Sequence, residues 1–156
     1  MTAVYRILRK PYSRKPLDGE GAFRFGGRWS SPGVRLAYTA EHLSLAMIEY
    51  FVQIDANDPP RDLVVVRADI PESVSRASLT VTRLPREWRS TPAPPRLAEI
   101  GDDFVSNGRS AVLIVPSALA VTESNWLINP RHSEFNRIRV FKPEPFQYDP
   151  RFLATS

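Results

Sequence analysis

The stretch LAYTAEHLSLAMIEYFVQI, residues 36–54, contains the two kinds of element that decide the fold class. Its first four residues, LAYT, predict a short strand, and Thr39 is of a type that often caps the N-terminus of a helix. The apolar residues that follow predict a helix to about Ile54, where DANDPP ends it. A strand that leads directly into an apolar helix indicates a mixed fold.

Strands predominate in the rest of the chain. The predicted strands are VYRIL (4–8), LVVVRADI (63–70), SLTVTRL (78–84), AVLIV (111–115) and the segment from RVF to Tyr148. A second helix is predicted from Arg96, with Gly108 as its C-cap, and a helical turn at residues 133–137. Because the helices are few and irregularly placed, the pattern predicts an α+β fold and not a doubly wound parallel sheet.

Three stretches are predicted to be irregular. Residues 18–33 are polar and rich in glycine, which predicts a long loop of the kind that is usually functional. The proline-rich residues 84–96 predict a rigid connector that Trp88 packs against the body of the protein. NWLINP, residues 125–130, is interpreted as a turn with Trp126 and Ile128 packed beneath it.

The length of the chain predicts one domain, residues 1–156. The absence of cysteine excludes a disulfide framework, and two histidines, His42 and His132, are too few for a typical zinc centre, so no metal is expected. No secretory signal and no apolar run of roughly 18 residues is present. We therefore expect a soluble cytoplasmic protein that does not bind membranes.

The net charge of +4 comes from 21 basic and 17 acidic residues that are spread along the chain. Nucleic-acid binders usually concentrate their positive charge on one surface. This pattern suits an anionic small ligand or an acidic protein partner at least as well as RNA, so direct nucleic-acid binding is not expected.

Glu49 is the most informative single residue. From Ser44 to Ile54, eight of eleven residues are apolar, which predicts a buried helix. A carboxylate in such a helix loses hydration unless a cation, hydrogen-bond donors or a cleft receives it. A structural ion pair with an arginine and a catalytic role are therefore both open.

FRFGGRWSSPG, residues 23–33, is a second candidate site. Gly26 and Gly27 allow the backbone to approach a ligand, and Arg28 presents a planar set of donors that suits a pyrophosphate or a carboxylate. The alternative to a ligand-binding loop is an ordinary turn in which Trp29 packs into the core.

Ser117 and Tyr38 are weaker candidates. Ser117 directly follows a predicted strand, where it suits either ligand binding or a helix N-cap, and a pairing with His132 lacks the glycine-flanked turn of serine hydrolases. Tyr38 is either a stacking platform or a core aromatic residue. The adjacent acids Asp102 and Asp103 are expected on a solvated helix face.

Taken together, these motifs resemble the RES-domain toxins of bacterial toxin–antitoxin systems. YRI near the start, GGRW, YTAE, the glutamate in an apolar helix, VLIVPSA and NWLINPRH follow the order of that family. By this resemblance the arginine, tyrosine, glutamate and serine of the family correspond to Arg28, Tyr38, Glu49 and Ser117. The family commonly has Asn where this chain has Ser30.

The resemblance implies a fold similar to ADP-ribosyltransferases, with small β-sheets, flanking helices and a cleft between the sheets that holds NAD⁺. It implies a toxin that cleaves the nicotinamide–ribose bond and depletes NAD⁺, as a glycohydrolase or a phosphorylase, with NAD⁺ as substrate and no prosthetic group. Catalytic roles are expected for Glu49, Arg28, Tyr38 and Ser117, and binding of NAD⁺ for Arg28, Tyr38, Gly27 and Ser117. The expected partner is an Xre-type helix-turn-helix antitoxin that blocks the active site, and a dimer within that complex is left open.

The residues suit this chemistry. Loss of nicotinamide passes through a cation-like sugar, which a nearby carboxylate stabilises, and nicotinamide leaves as a neutral molecule without a general acid. The alternatives are a mono-ADP-ribosyltransferase that modifies a protein, an RNA-directed toxin, and a binding module without catalytic activity.

Overall fold

The computed structural model describes residues 1–153, so the predicted domain 1–156 includes three residues outside the described part. The strands are β1 (Thr2–Arg9), β2 (Ala37–Ala40), β3 (Leu63–Ile70), β4 (Arg76–Ser78), β5 (Val112–Pro116), β6 (Ser124–Ile128), β7 (Arg139–Val140) and β8 (Glu144–Pro145). The helices are α1 (Glu20–Phe25), α2 (Leu43–Phe51) and α3 (Pro95–Asn107), with short 3₁₀ turns at Lys10–Tyr12, Val81–Arg83, Phe135–Arg137 and Pro150–Phe152. The α+β prediction is confirmed.

The strands form one hydrogen-bonded sheet in the order β4-β5-β6-β2-β1-β3-β7, and β8 also pairs with β3. Only β4 and β5 run parallel. The sheet is narrow at one place, because β1 and β2 share a single paired position, Tyr5 with Ala40. The small sheets expected from the sequence are therefore two parts of one sheet, which join at β1 and β2.

The core is divided between the two faces of this sheet. On β5, Val112 packs in a cluster with Val4 and Ile128, whereas Leu113 and Val115 pack in another with Trp88 and Leu97. This alternation follows from the two-residue period of a strand. Helix α3 contributes Leu97 and Phe104 to the second cluster, and α2 contributes Leu45 and Ala46 to a third with Ile7 and Ala40.

Several predicted elements are confirmed, although their ends differ. β3 has the predicted bounds, and Gly108 caps α3 with a φ of 62°. Trp88 and Trp29 are both buried, at 4% and 2% exposed, as the packing interpretation required. Helix α2 begins after His42 and not at a Thr39 cap, because the Thr39 hydroxyl donates instead to the Trp126 carbonyl oxygen across the sheet.

Three local predictions are wrong. Residues 18–33 contain the helix α1, and of the predicted strand 78–84 only Ser78 lies in a strand, as the last residue of β4, while Val81–Arg83 form a 3₁₀ turn. Residues 125–130 were interpreted as a turn, but most of them belong to β6, which lies between β2 and β5. In each case pairing or packing with distant residues decided the conformation, and the local pattern did not.

Among residues 1–153, no helix combines the length and the apolar character needed to cross a bilayer; α3, with 13 residues, is the longest.

Candidate active site

Glu49 on α2 and Ser117, immediately after β5, are in direct contact. The Ser117 hydroxyl donates a hydrogen bond of 2.7 Å to Glu49 Oε1. The same Oγ accepts the backbone N–H groups of Leu119 and Ala120, each at 3.1 Å. A hydroxyl has one hydrogen and two lone pairs, so these three bonds use its whole capacity. Since Ser117 is fully buried, its Oγ is a fixed point against which the carboxylate is held.

The Glu49 carboxylate has no ion-pair partner among residues 1–153. The interpretation of Glu49 as one partner of a structural ion pair with an arginine is therefore wrong. Ser117 is the donor that replaces it, and within the same range Oε2 has no hydrogen-bond partner. A half-buried carboxylate with one oxygen held and one oxygen free is suited to face a positive charge that develops on a substrate.

Helix α2 is less buried than its composition predicts. Leu45 and Ala46 are buried, but Ile48 and Val52 are 42% and 61% exposed. Glu49 lies one turn after Leu45, on the side of the helix that faces the sheet. Its partial burial therefore comes from its position beside Ser117, and the prediction of a helix buried all round is wrong.

Gly27 and Tyr38 are packed against each other. A Cβ added to Gly27 would lie 2.6 Å from the Tyr38 hydroxyl oxygen, so only glycine fits without movement. The Tyr38 hydroxyl accepts the Trp29 backbone N–H at 3.0 Å and shares a hydrogen bond of 2.8 Å with the Ser30 hydroxyl. Burial raises the pKa of Tyr38 to about 12. Tyr38 is thus a neutral group that packs against the loop of residues 26–31, the glycine–arginine loop, and holds it in place.

The Arg28 guanidinium contacts the proline-rich connector. Its Nη1 donates to the backbone carbonyl oxygens of Trp88 and Ser90, at 3.0 and 2.9 Å, and its Nη2 lies 3.4 Å from Thr91 Oγ1. Three of the five guanidinium N–H donors are used in this way. Arg28 therefore fixes the connector, and the Nε donor and one Nη2 donor are left for a ligand.

Helix α3 holds the other side of the same loop. Asp102 accepts the Ser31 backbone N–H at 2.9 Å and the Ser31 hydroxyl at 2.6 Å. A Cβ on Gly101 would overlap the Trp29 carbonyl oxygen, which shows how closely α3 approaches the loop. Asp102 is half-buried and structural, so the prediction of a solvated acidic pair is wrong for it, whereas Asp103 is exposed as expected.

The connector links the two groups of candidate residues. Residues 88–91 receive Arg28 on one side, and Arg89 of the same segment donates to the Ala118 carbonyl oxygen at 2.9 Å, next to Ser117. Tyr38 and Ala118 also belong to one apolar cluster. The structure therefore brings Glu49 and Ser117 together, brings Gly27, Arg28 and Tyr38 together, and joins the two groups through four residues of the connector.

Arg6 contacts Tyr38 and is a candidate that the sequence motifs did not single out. It lies on β1 at the narrow joint of the sheet, where its Nη1 donates to the Tyr38 carbonyl oxygen at 2.9 Å. Its Nε is fully enclosed without an acceptor in residues 1–153, and no carboxylate in that range forms an ion pair with it. Burial lowers the pKa of Arg6. The only sequence signal was its place in the YRI motif, because a single arginine in a strand usually points to solvent.

Neither of the two histidines, His42 and His132, contacts Ser117 through a hydrogen bond. His132 Nδ1 accepts the Glu134 backbone N–H at 3.0 Å, and the hydrogen of Ser117 goes to Glu49, so the serine–histidine pairing is not formed.

In the described part of the chain, Glu41, His42 and Glu123 bring potential ligand atoms within 4.8 Å of one another. Exposed acidic groups of this kind are common without a metal, and Glu41 already accepts the Ser124 backbone N–H at 2.8 Å.

The fold places the chain in a class of small α+β proteins with one mixed sheet. The chain superposes on a protein of the MbcT–MbcA toxin–antitoxin complex of M. tuberculosis with a TM-score of 0.75 and 18% identity, over 93% of this chain and 84% of that one. The RES domain model matches residues 3–149, and the chain belongs to the RES domain family.

Relatives from bacteria match almost the whole chain. Toxin Res of Yersinia enterocolitica is 36% identical, over 95% of this chain and 97% of its own. The Prs ADP-ribosylating toxin of Sphingobium sp. strain YBL2 is 32% identical, over 97% of each chain. The resemblance recognised from the sequence motifs is therefore confirmed.

Proposed function

We propose that this chain is the toxin of a toxin–antitoxin pair and that it cleaves the nicotinamide–ribose bond of NAD⁺. The observation that carries the proposal is the Glu49 carboxylate, which Ser117 holds at 2.7 Å and which no cation neutralises in residues 1–153. Relatives named Toxin Res support the role as a toxin. A toxin that depletes NAD⁺ acts in the cytoplasm, where its substrate is.

Glu49 is the proposed catalytic residue. As the C–N glycosidic bond breaks, its electron pair stays on the nicotinamide nitrogen and positive charge develops on the ribose. A carboxylate fixed beside that ribose stabilises the charge more in the transition state than in the ground state. With water as acceptor, a C–O bond then forms and one proton is released; with phosphate, the product is a sugar phosphate.

Ser117 is proposed as the residue that orients Glu49. The family resemblance implied that Ser117 itself binds NAD⁺. Because its hydrogen and both lone pairs are already used, we assign it instead to holding the carboxylate.

The pyrophosphate is proposed to bind at the β1–β2 joint, between Arg6 and the glycine–arginine loop. Arg6 is a cation without a carboxylate partner in residues 1–153, and Arg28 has two donors left after it binds the connector. Gly27 lets the ligand approach the backbone, and the ring of Tyr38 is the proposed wall of the cleft. A dinucleotide bound here would lie between the two parts of the sheet.

The antitoxin is proposed to be an Xre-type helix-turn-helix protein that covers this cleft. The structural similarity to a chain of a toxin–antitoxin complex supports a protein partner of this kind. A dimer within that complex stays a prediction.

The direct test is to incubate the purified chain with NAD⁺ and to follow release of nicotinamide by chromatography. We expect release by the wild-type chain and a KM raised at least tenfold in Arg6→Gln. Binding of NAD⁺ without nicotinamide release would contradict the proposal and favour a binding module. Growth arrest with RNA loss and unchanged NAD⁺ would favour an RNA-directed toxin.

A protein-modifying ADP-ribosyltransferase is the second candidate. It is favoured by the 32% identity to a relative named Prs ADP-ribosylating toxin. The two candidates share the bond that breaks and differ in the acceptor. NAD⁺ labelled in the adenylate part separates them, since the label ends on free ADP-ribose or its phosphate in one case and on a protein in the other.

A further inference from the structure

A cavity of about 470 Å³ lies between residues 13–18 and residues 130–143. None of the candidate residues Arg6, Arg28, Tyr38, Glu49 or Ser117 lines it. Its volume is in the range of cavities that receive a drug-sized molecule or a few residues of a peptide. It therefore has the size of a binding site for a second ligand.

The rim of this cavity carries an excess of positive charge. Arg14, Lys15 and Lys142 line it and are exposed, and none of them has an ion-pair partner among residues 1–153. Asp18 is the acid in the same lining, and its Oδ1 already accepts the Glu20 backbone N–H at 2.9 Å. Three cations face one acid, which favours an anionic occupant.

The interior of the cavity is apolar. Leu17, Phe135, Val140 and Phe141 line it, and Val140 is 39% exposed. An anion alone, such as inorganic phosphate, would leave this apolar surface in water. The lining therefore suits a ligand in which an apolar group is flanked by negative charges.

A second hollow of about 300 Å³ shares Phe141 and Lys142 with the first. It is lined on the other side by Tyr5, Arg67 and Glu144. The two hollows flank one ridge, the segment 141–142, so an occupant that uses both must be extended. In the second hollow Arg67 pairs with Asp69, and Lys142 and Glu144 are its other charged lining residues, so the excess of positive charge lies at the first hollow.

The surroundings of the Phe141 ring favour a peptide over a nucleic acid as the occupant of the two hollows. The guanidinium carbons of Arg139 and Arg67 lie 4.5 and 5.1 Å from its centroid, so the ring is covered by cations. Proteins that bind single strands use free aromatic faces on which bases stack. A covered ring offers no such platform. Arg67 already pairs with Asp69 at 3.0 Å, whereas Arg139 has no ion-pair partner among residues 1–153 and can pair with a carboxylate of the occupant.

We propose that this groove, formed by the two hollows on either side of residues 141–142, binds an extended acidic segment of a partner protein. The segment places a bulky apolar side chain in the larger hollow and Asp or Glu side chains near Arg14, Lys15 and Lys142. This contact is independent of the chemistry at Glu49, and it leaves the candidate active site open.

The test uses the full chain and a fluorescent peptide of twelve residues in which Leu and Phe are flanked by Glu and Asp. Anisotropy is measured for this peptide, for its Gln and Asn counterpart, and for a single-stranded oligouridylate of equal charge. We expect binding of the acidic peptide alone. The double variant Arg14→Glu with Lys142→Glu should weaken it at least tenfold, and the exposed control pair Arg61→Glu with Arg83→Glu should weaken it less than threefold.

Equal weakening by the control pair, tighter binding of the oligouridylate, or no binding of the acidic peptide would overturn the proposal. Circular dichroism and nicotinamide release are recorded for every variant. The groove variant should keep wild-type nicotinamide release. If the wild-type chain released none, the proposed function would fail, whereas the peptide result would still decide the groove.

Discussion

The hydroxyl of Ser117 donates a 2.7 Å hydrogen bond to the carboxylate of Glu49, across 68 residues of sequence. This contact joins the end of β5 to the last turn of α2. Ser117 is therefore expected to affect both activity and stability, because its Oγ also accepts the backbone N–H groups of Leu119 and Ala120.

Ser117→Ala should lower both stability and activity. The Leu119 and Ala120 N–H groups, which are partly buried, lose their acceptor, which costs about 1 kcal/mol of unfolding free energy. The carboxylate loses the one donor that it has among residues 1–153, so we expect kcat for nicotinamide release to fall about tenfold or more with little change in KM. Urea unfolding and steady-state kinetics measure the two effects. The exposed Ser106→Ala is the control, and an unchanged kcat in Ser117→Ala would refute the orienting role.

Gly27→Ala should displace Tyr38 or the loop above it. Its Cβ would lie 2.6 Å from an oxygen that Trp29 and Ser30 hold in place, so the overlap is not easily relieved. We expect a loss of about 1–3 kcal/mol in stability and a higher KM for NAD⁺.

Gly21→Ala is the matched control. No atom lies within 4 Å of its added Cβ, and it is inside α1, so the change should be neutral or stabilise by roughly 0.5–1 kcal/mol. Equal effects of the two substitutions would show that the contact between Gly27 and Tyr38 has no importance.

Tyr38 should contribute to loss of stability in strong base. Burial raises its pKa to about 12, while an unfolded tyrosine titrates near 10. Between these pH values the unfolded chain loses the proton first, so the unfolding free energy falls as pH rises, and below about pH 10 this contribution is fully present. Urea unfolding at pH 9 and 11.5 should therefore show a smaller decline in Tyr38→Phe than in the wild type. Tyr12→Phe, at an exposed position, should decline as the wild type does; identical slopes in all three would contradict the prediction.

Tyr148→Phe tests how the C-terminal segment holds α2. The Tyr148 hydroxyl donates to the Met47 carbonyl oxygen at 2.6 Å, two residues before Glu49, and its ring packs against Phe51 and Phe146 with centroids 5.5 and 4.9 Å apart. Removing only the hydroxyl should cost about 1 kcal/mol of stability and lower kcat severalfold. Denaturation and nicotinamide release, with Tyr12→Phe as control, measure this. Wild-type values for both would rule out a role for the hydrogen bond.

The sequence predicted the elements that its local pattern encodes strongly. β3 is a run of β-branched residues with the predicted bounds, and Gly108 ends α3 where a C-cap was expected. The positions of Arg28, Tyr38, Glu49 and Ser117 came from motifs and from the family resemblance. Their grouping in space depends on the order of β1, β2, β5 and β6 in the sheet, which no local pattern encodes.

The parts that were not predicted depend on long-range contacts. β6 was interpreted as a turn because its partners in the sheet lie elsewhere in the chain: Leu127 pairs with Tyr38 of β2, 89 residues earlier, and Ile128 pairs with Val112 of β5, 16 residues earlier. Asp102 was placed in solvent because its partner, Ser31, lies 71 residues earlier. Arg6 was not predicted as a candidate, because the sequence does not show whether the fold places a carboxylate next to an arginine.

The most direct test of the proposed mechanism compares nicotinamide release by Glu49→Gln and by Glu99→Gln. Both remove one negative charge from a helix, but Glu99 is exposed, and its ion-pair partner within residues 1–153 is Arg96. We predict that Glu49→Gln lowers kcat at least a hundredfold, with a circular dichroism spectrum like that of the wild type, and that Glu99→Gln retains wild-type activity. Nicotinamide release at the wild-type rate by Glu49→Gln would contradict the central claim.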